Sequence, residues 1–212
     1  MTEFGNSLIY DIEIAKAILG RGEERIEGIQ YCDGWHDHAG MGISVIGAYD
    51  YADARYRVFC ADNFDAFLDL CADRAPLVSF NGIGFDDKVI NAELGQDIGL
   101  MPNSFRYDLL AEIWRAAGLD PTFGGNSHAG YGLDATCEAN FGIRKSGNGA
   151  RAPIAWQQGR VGEVIDYCLN DIRLTKRLFD HAVVLGEPIV LAKTGASVRL
   201  RTLDQVERTY LG

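Results

Sequence analysis

The sequence has no apolar run of membrane-spanning length, which excludes a transmembrane helix as an organising element. Its five cysteines, Cys32, Cys60, Cys71, Cys137 and Cys168, are odd in number and include no CxxC pair. That fits reduced thiols in a cytoplasmic protein better than a disulfide framework. Proline is scarce, with five among 212 residues, and no Pro/Ser-rich tract, repeat or low-complexity stretch divides the chain. Basic residues are outnumbered twenty to thirty by acidic ones, and the net charge of −10 argues against broad, nonspecific binding of polyanions. Any nucleic-acid contact must then rest on local positive charge. The first residues lack a basic segment and a long apolar run, so no signal peptide is expected. Cys32, His36 and His38 lack a fourth zinc ligand at useful spacing, and a polar loop accounts for them.

What is present is enough apolar residue, 47%, for one substantial core, so a single domain over residues 1–212 is expected. Ser7 to Ile14, Gly42 to Tyr49 and Arg55 to Phe59 read as three strands, the last two joined by a turn at Asp50 to Asp53. Asp62 or Asn63 is placed to cap a helix carrying Phe64, Phe67, Leu68 and Cys71, and Pro76 to Phe80 reads as a buried strand. Strands and helices then alternate: a helix over about 85–94, a strand ending at Tyr107, and helices over about 109–117, 133–140 and 162–184. This is an α/β layout, a mixed sheet flanked by helices, closed by a β-hairpin over about 188–203.

Three short segments carry acids in positions that need explaining. Asp11 and Glu13 are two residues apart in an apolar strand, so both carboxylates leave one face while Ile12 and Ile14 point to the other. In a central strand such a pair requires compensation, which hard divalent cations supply; in an edge strand the acids would merely be solvated. The second segment runs from Leu77 through Gly84 to Asp86 and Asp87, a strand and a turn that end on acids at a helix start. Spacing alone does not choose between the two aspartates. The third is Tyr167 with Asp171, four apart on one helix face that continues into Leu174 and Leu178. Pairing of Asp171 with Arg173 is the ordinary alternative.

In this order, Tyr10-Asp11-Ile12-Glu13, the N-x-x-x-F-D pattern from Asn81 to Asp86, and the Y-x-x-x-D pattern from Tyr167 to Asp171 resemble the three motifs of the DEDD exonuclease superfamily. Tyr131 to Glu138 and Tyr107 to Leu110 look like further segments of the exonuclease domains of B-family DNA polymerases, with Asp108 in a supporting place. Position 166 is Asp rather than His, as in the tyrosine subtype, DEDDy. The resemblance implies an RNase H-like fold and removal of nucleoside 5′-monophosphates from single-stranded DNA or RNA 3′ ends. Asp11, Glu13, Asp86 and Asp171 would hold two ions, Mg²⁺ or Mn²⁺, and the Tyr167 hydroxyl would orient water.

Asn81 and Phe85 would lie near the substrate. Phe141 to Arg160 carries Arg144, Lys145, Arg151 and Arg160 without an acid and reads either as a phosphate-binding loop or as a solvated surface loop. Tyr131 or Phe123 is a candidate for stacking on a terminal base. The competing readings are an RNase H-like endonuclease, a short-oligonucleotide nuclease and an inactive nucleic-acid-binding module. A replication or repair role would require a separate partner, and no membrane contact is expected.

Overall fold

The computed structural model describes residues 4–101, 105–122, 128–143 and 149–206. The chain opens with β1 (Leu8–Ile14), passes a short parallel ribbon of β2 (Ala17–Ile18) and β3 (Tyr31–Cys32) and one helical turn, α1 (His38–Met41), and enters the hairpin β4 (Ile43–Asp50) and β5 (Arg55–Phe59). Next come α2 (Phe64–Asp73), β6 (Leu77–Ser79), α3 (Asp86–Leu94), β7 (Arg106–Asp108) and α4 (Leu109–Ala116). α5 (Leu133–Phe141), α6 (Ala152–Gln157) and α7 (Val161–Phe179) precede the antiparallel pair β8 (Ile189–Val190) and β9 (Ser197–Val198).

Five strands form one mixed sheet in the order β5-β4-β1-β6-β7. β1 is central because it is apolar on both faces: Leu8, Tyr10 and Ile12 join one hydrophobic cluster and Ile9 the other. It pairs antiparallel with β4 from Leu8 opposite Asp50 to Ile14 opposite Ile43, but parallel with β6 only at Leu8 and Ile9. Beyond Ile9 its β6 edge is therefore open. Phe64, Phe67 and Cys71 of α2 and Val89 and Ile90 of α3 cover one face. Ile172, Leu178 and Phe179 of α7 cover the other. Each fully buried side chain of this kind contributes roughly 1.5–3 kcal/mol. Together they fix how α7 lies on the sheet and carry Asp171, also buried, inside with them.

The mixed sheet, the flanking helices and the closing hairpin agree with the sequence reading, with four local corrections. Asn63 stands at the N-cap of α2, but its side chain accepts the Cys60 N–H at 2.7 Å instead of capping. β7 continues through Asp108. The long helix stops at Phe179 and passes into a π-turn over Asp180–Val184. Finally, the basic stretch 141–160 is not one loop: Gly149–Arg151 is a 3₁₀ turn and 152–157 is α6. Pro153 suits the first helical turn, and Ala152 and Ala155 pack on Val45 and Cys168.

Candidate metal centre

Asp11 and Glu13 share the β1 face that looks toward α7. Asp11 lies opposite Gly47 of β4, where an added Cβ would come within 2.7 Å of Cys168 Sγ and 3.2 Å of Ile172 Cγ1. The missing side chain lets α7 settle directly on the strand pair. Cys168 Sγ accordingly donates to the Asp11 carbonyl at 3.6 Å and lies 3.9 Å from Asp11 Oδ2. Donor atoms of Asp11, Glu13 and Cys168 all fall within 4.8 Å of one another, the one such group among the described residues. Asp171, one turn beyond Cys168 on α7, acts electrostatically on the same thiol.

Asp86 meets β1 along its edge. Its Oδ1 accepts the Ile12 N–H at 3.0 Å, on the β1 edge that β6 leaves open, between the residues carrying the two strand acids. Burial first, and then the neighbouring Asp87, push the Asp86 carboxyl up to about 7. Asp87 turns away to Tyr10, whose hydroxyl donates to it, and to the buried Arg106 guanidinium at 2.6 Å. The structure thus separates two adjacent aspartates by partner, one on the β1 edge and one in an ion pair of the core.

The turn that delivers Asp86 is clipped in place by Asp108. Its carboxylate accepts the N–H groups of Asn81 at 2.9 Å and Ile83 at 3.1 Å, and those of Leu110 and Ala111 at the start of α4. With its lone pairs so used, Asp108 holds the turn and the start of α4 together. Asn81 sits at φ 69°, a conformation asparagine tolerates better than most residues. Gly82 is required because a Cβ there would strike the Ser79 side chain and come 2.9 Å from the Tyr10 hydroxyl.

Tyr167 is half-buried, and the Gly149 backbone crosses its hydroxyl so closely that a Cβ would sit 3.1 Å from it. Beside Glu13 opens a cleft of about 250 Å³ lined largely by apolar atoms, among them Ile14, Ile18, Trp35, Phe85 and Pro153. Trp35 is 71% exposed at its mouth, with its ring centroid 5.9 Å from that of Phe85.

Several expectations take another form. Asn81 lines a different cleft, over β7, rather than the Glu13 cleft. Tyr131 is buried with Lys193 over its ring, so it offers no stacking face. Arg151 is exposed at the start of α6, and Arg160 pairs with Glu163. Arg173 lies over the Tyr56 ring. Arg144, Lys145 and Phe123 lie outside the described residues. Sequence reasoning missed Cys168, Gly47 and Trp35; of these only Cys168, inside the Tyr167 to Asp171 segment, had a signal nearby.

The donor set suits hard cations. Glu13, Asp86 and Asp171 are buried carboxylates, and like charges brought together out of water need a positive partner. The soft donor is muted: burial, then the Asp11, Glu13 and Asp171 carboxylates, push the Cys168 thiol well above its ordinary value. What remains is an oxygen site of the kind that holds Mg²⁺ or Mn²⁺. No helix among the described residues is long and apolar enough to cross a membrane.

No curated protein sequence matches the chain. Among solved structures it is similar to the family B DNA polymerase from the hyperthermophilic archaeon Pyrobaculum calidifontis, with a TM-score of 0.56 and 19% identity. That likeness covers 94% of this chain and 26% of the polymerase, so the chain spans about a quarter of that protein's length and shares the fold of that part. A family model matches residues 32–183, most of the sequence and four of the five strands of the main sheet, β4 to β7, and by that match the chain belongs to the RNase H superfamily.

Proposed function

We propose that the chain is a metal-dependent 3′-to-5′ exonuclease acting on single-stranded nucleic acid, a single DEDDy-type domain over residues 1–212. The observation that carries this reading is the Asp86 carboxylate on the Ile12 N–H, which adds an acid from a third element to Asp11 and Glu13 of β1 and Asp171 of α7. Two hard divalent cations held by these four residues would supply an activated water and neutralise charge on the leaving 3′ oxygen. The Tyr167 hydroxyl orients water by hydrogen bonding. The cleft beside Glu13 receives the terminal base, with Phe85 and Trp35 as stacking surfaces. Arg151 and the basic residues near it hold backbone phosphates. A polymerase or repair partner supplied separately is compatible with the likeness to a polymerase.

Product analysis on 3′-labelled DNA and RNA oligonucleotides tests the reading. Stepwise release of nucleoside 5′-monophosphates in Mg²⁺ or Mn²⁺ is expected, lost in Asp11→Ala and Asp171→Ala. Cleavage of a circular single strand would identify an endonuclease instead. Activity confined to dimers would identify a short-oligonucleotide nuclease.

A further inference from the structure

A second cleft, of about 590 Å³, opens over β7, where the turn bearing Asn81, Ile83 and Gly84 meets α4 and the chain around Arg201. Four cationic side chains line it, Lys88, Arg106, Arg115 and Arg201, against two acids, Asp108 and Glu112. Both acids are already engaged. Asp108 accepts four backbone N–H groups, and Glu112 is gripped by both Nε and Nη2 of Arg201, at 2.8 and 2.6 Å.

The donors are in surplus. Arg106 is 5% exposed and gives Nη2 to Asp87 and Tyr10, while its Nε and Nη1 are buried with no acceptor among the described residues. The buried Trp114 Nε1 is likewise without an acceptor. Lys88 forms no ion pair among the described residues. Buried donors left without acceptors are costly. Arg115 also pairs with Glu112, at 3.6 Å, so the lining acids are engaged while Arg106 and Trp114 keep donors without acceptors, a balance that suits an acceptor-only ligand. The turn that lines this cleft continues through Phe85 into Asp86, so it forms the ridge between this cleft and the one beside Glu13.

We infer that the cleft bounded by Lys88, Arg106 and Trp114 is an oxyanion site that takes a phosphate group. Its natural occupant is a phosphodiester upstream in the strand whose end lies at the acids. That identification rests on the nuclease reading, whereas the oxyanion chemistry rests on the donors alone. A free nucleoside monophosphate offers the same oxygens, so the test must tell the two apart.

The readout is the indole N–H resonance of Trp114, assigned by its loss in Trp114→Phe. It is followed in metal-free Asp11→Ala protein titrated with inorganic phosphate, thymidine 5′-monophosphate, and an unphosphorylated thymidine dimer and hexamer. A saturable shift with the hexamer but not the smaller probes assigns the cleft to the strand. A shift with phosphate or the monophosphate assigns it to a free phosphate. In either case Lys88→Glu, an exposed substitution, should weaken the apparent affinity about fivefold or more. A Trp114 resonance unmoved by all four probes, or moved equally in the Lys88→Glu background, overturns the proposal. Separately, a shift in this experiment together with no metal-dependent turnover by the parent protein would remove the nuclease reading and leave the cleft.

Discussion

Gly47 shows how one missing side chain places a functional group. Because it lies opposite Asp11 and under Cys168, the distance from α7 to β1 is set there. Gly47→Ala should lower stability by about 1–3 kcal/mol, the usual cost of forcing a group into a packed interface. Urea unfolding measures this, and Cys168→Ala in the same chain should return part of the loss, because the nearest atom is then gone. Equal losses in the single and double variants would show that the close approach is not what Gly47 provides. The adjacent aspartates make a second test at this scale. Asp87→Ala leaves Arg106 buried beside no carboxylate and should cost about 3–5 kcal/mol of stability. Asp86→Asn keeps an oxygen for the Ile12 N–H and should instead abolish turnover with the fold intact.

At the scale of elements, the turn after β6 and the end of β4 are held by carboxylates with opposite pH behaviour. Burial would raise the Asp50 pKa, but hydrogen bonds from Arg74 and Arg57 outweigh it and hold the carboxyl below its ordinary value. A depressed carboxyl contributes stability above its unfolded pKa, near 4, and loses it as pH falls further. Asp86 is raised to about 7, so the metal-free fold takes up a proton there. Its contribution therefore falls as pH rises from about 4 through 7. Denaturation of metal-free protein should show Asp86→Asn gaining stability relative to the parent as pH rises across that window. Asp50→Asn should lose most of its deficit below about pH 4. A pH-independent difference for either variant would contradict the assignment.

Much of this was legible in the sequence because it is periodic. The apolar character of Leu8 to Ile14 marks a central strand, its period of two puts Asp11 and Glu13 on one face, and the four-residue interval puts Tyr167 and Asp171 on one side of α7. The choice of Asp86 over Asp87 was not legible. It depends on β6 pairing no further than Ile9 and on Arg106, from a later strand, claiming Asp87. Neither fact is local. α6 looks like loop in the sequence because its buried contacts are made by Ala152, Pro153 and Ala155, small residues that leave no helical period among glycines and arginines. β2 and β3, two residues each, are too short for any period.

For the whole molecule, an acidic chain carries the four proposed ligands on three separated segments, with Glu13, Asp86 and Asp171 buried. On the proposed reading, that arrangement is stabilised by cations. Saturating Mn²⁺ should therefore raise the thermal midpoint, by several degrees for a ligand well above its Kd, and Asp11→Ala should remove the effect. An unchanged midpoint would mean that the acids are not coupled to the metal.

The most direct measurement of that claim is a count of bound Mn²⁺ by electron paramagnetic resonance. Two ions per chain are expected in the parent and in the exposed variant Lys88→Gln, with at least one lost in Asp11→Ala and in Asp86→Asn. No bound Mn²⁺ at millimolar metal, or a full complement in Asp86→Asn, would contradict the account.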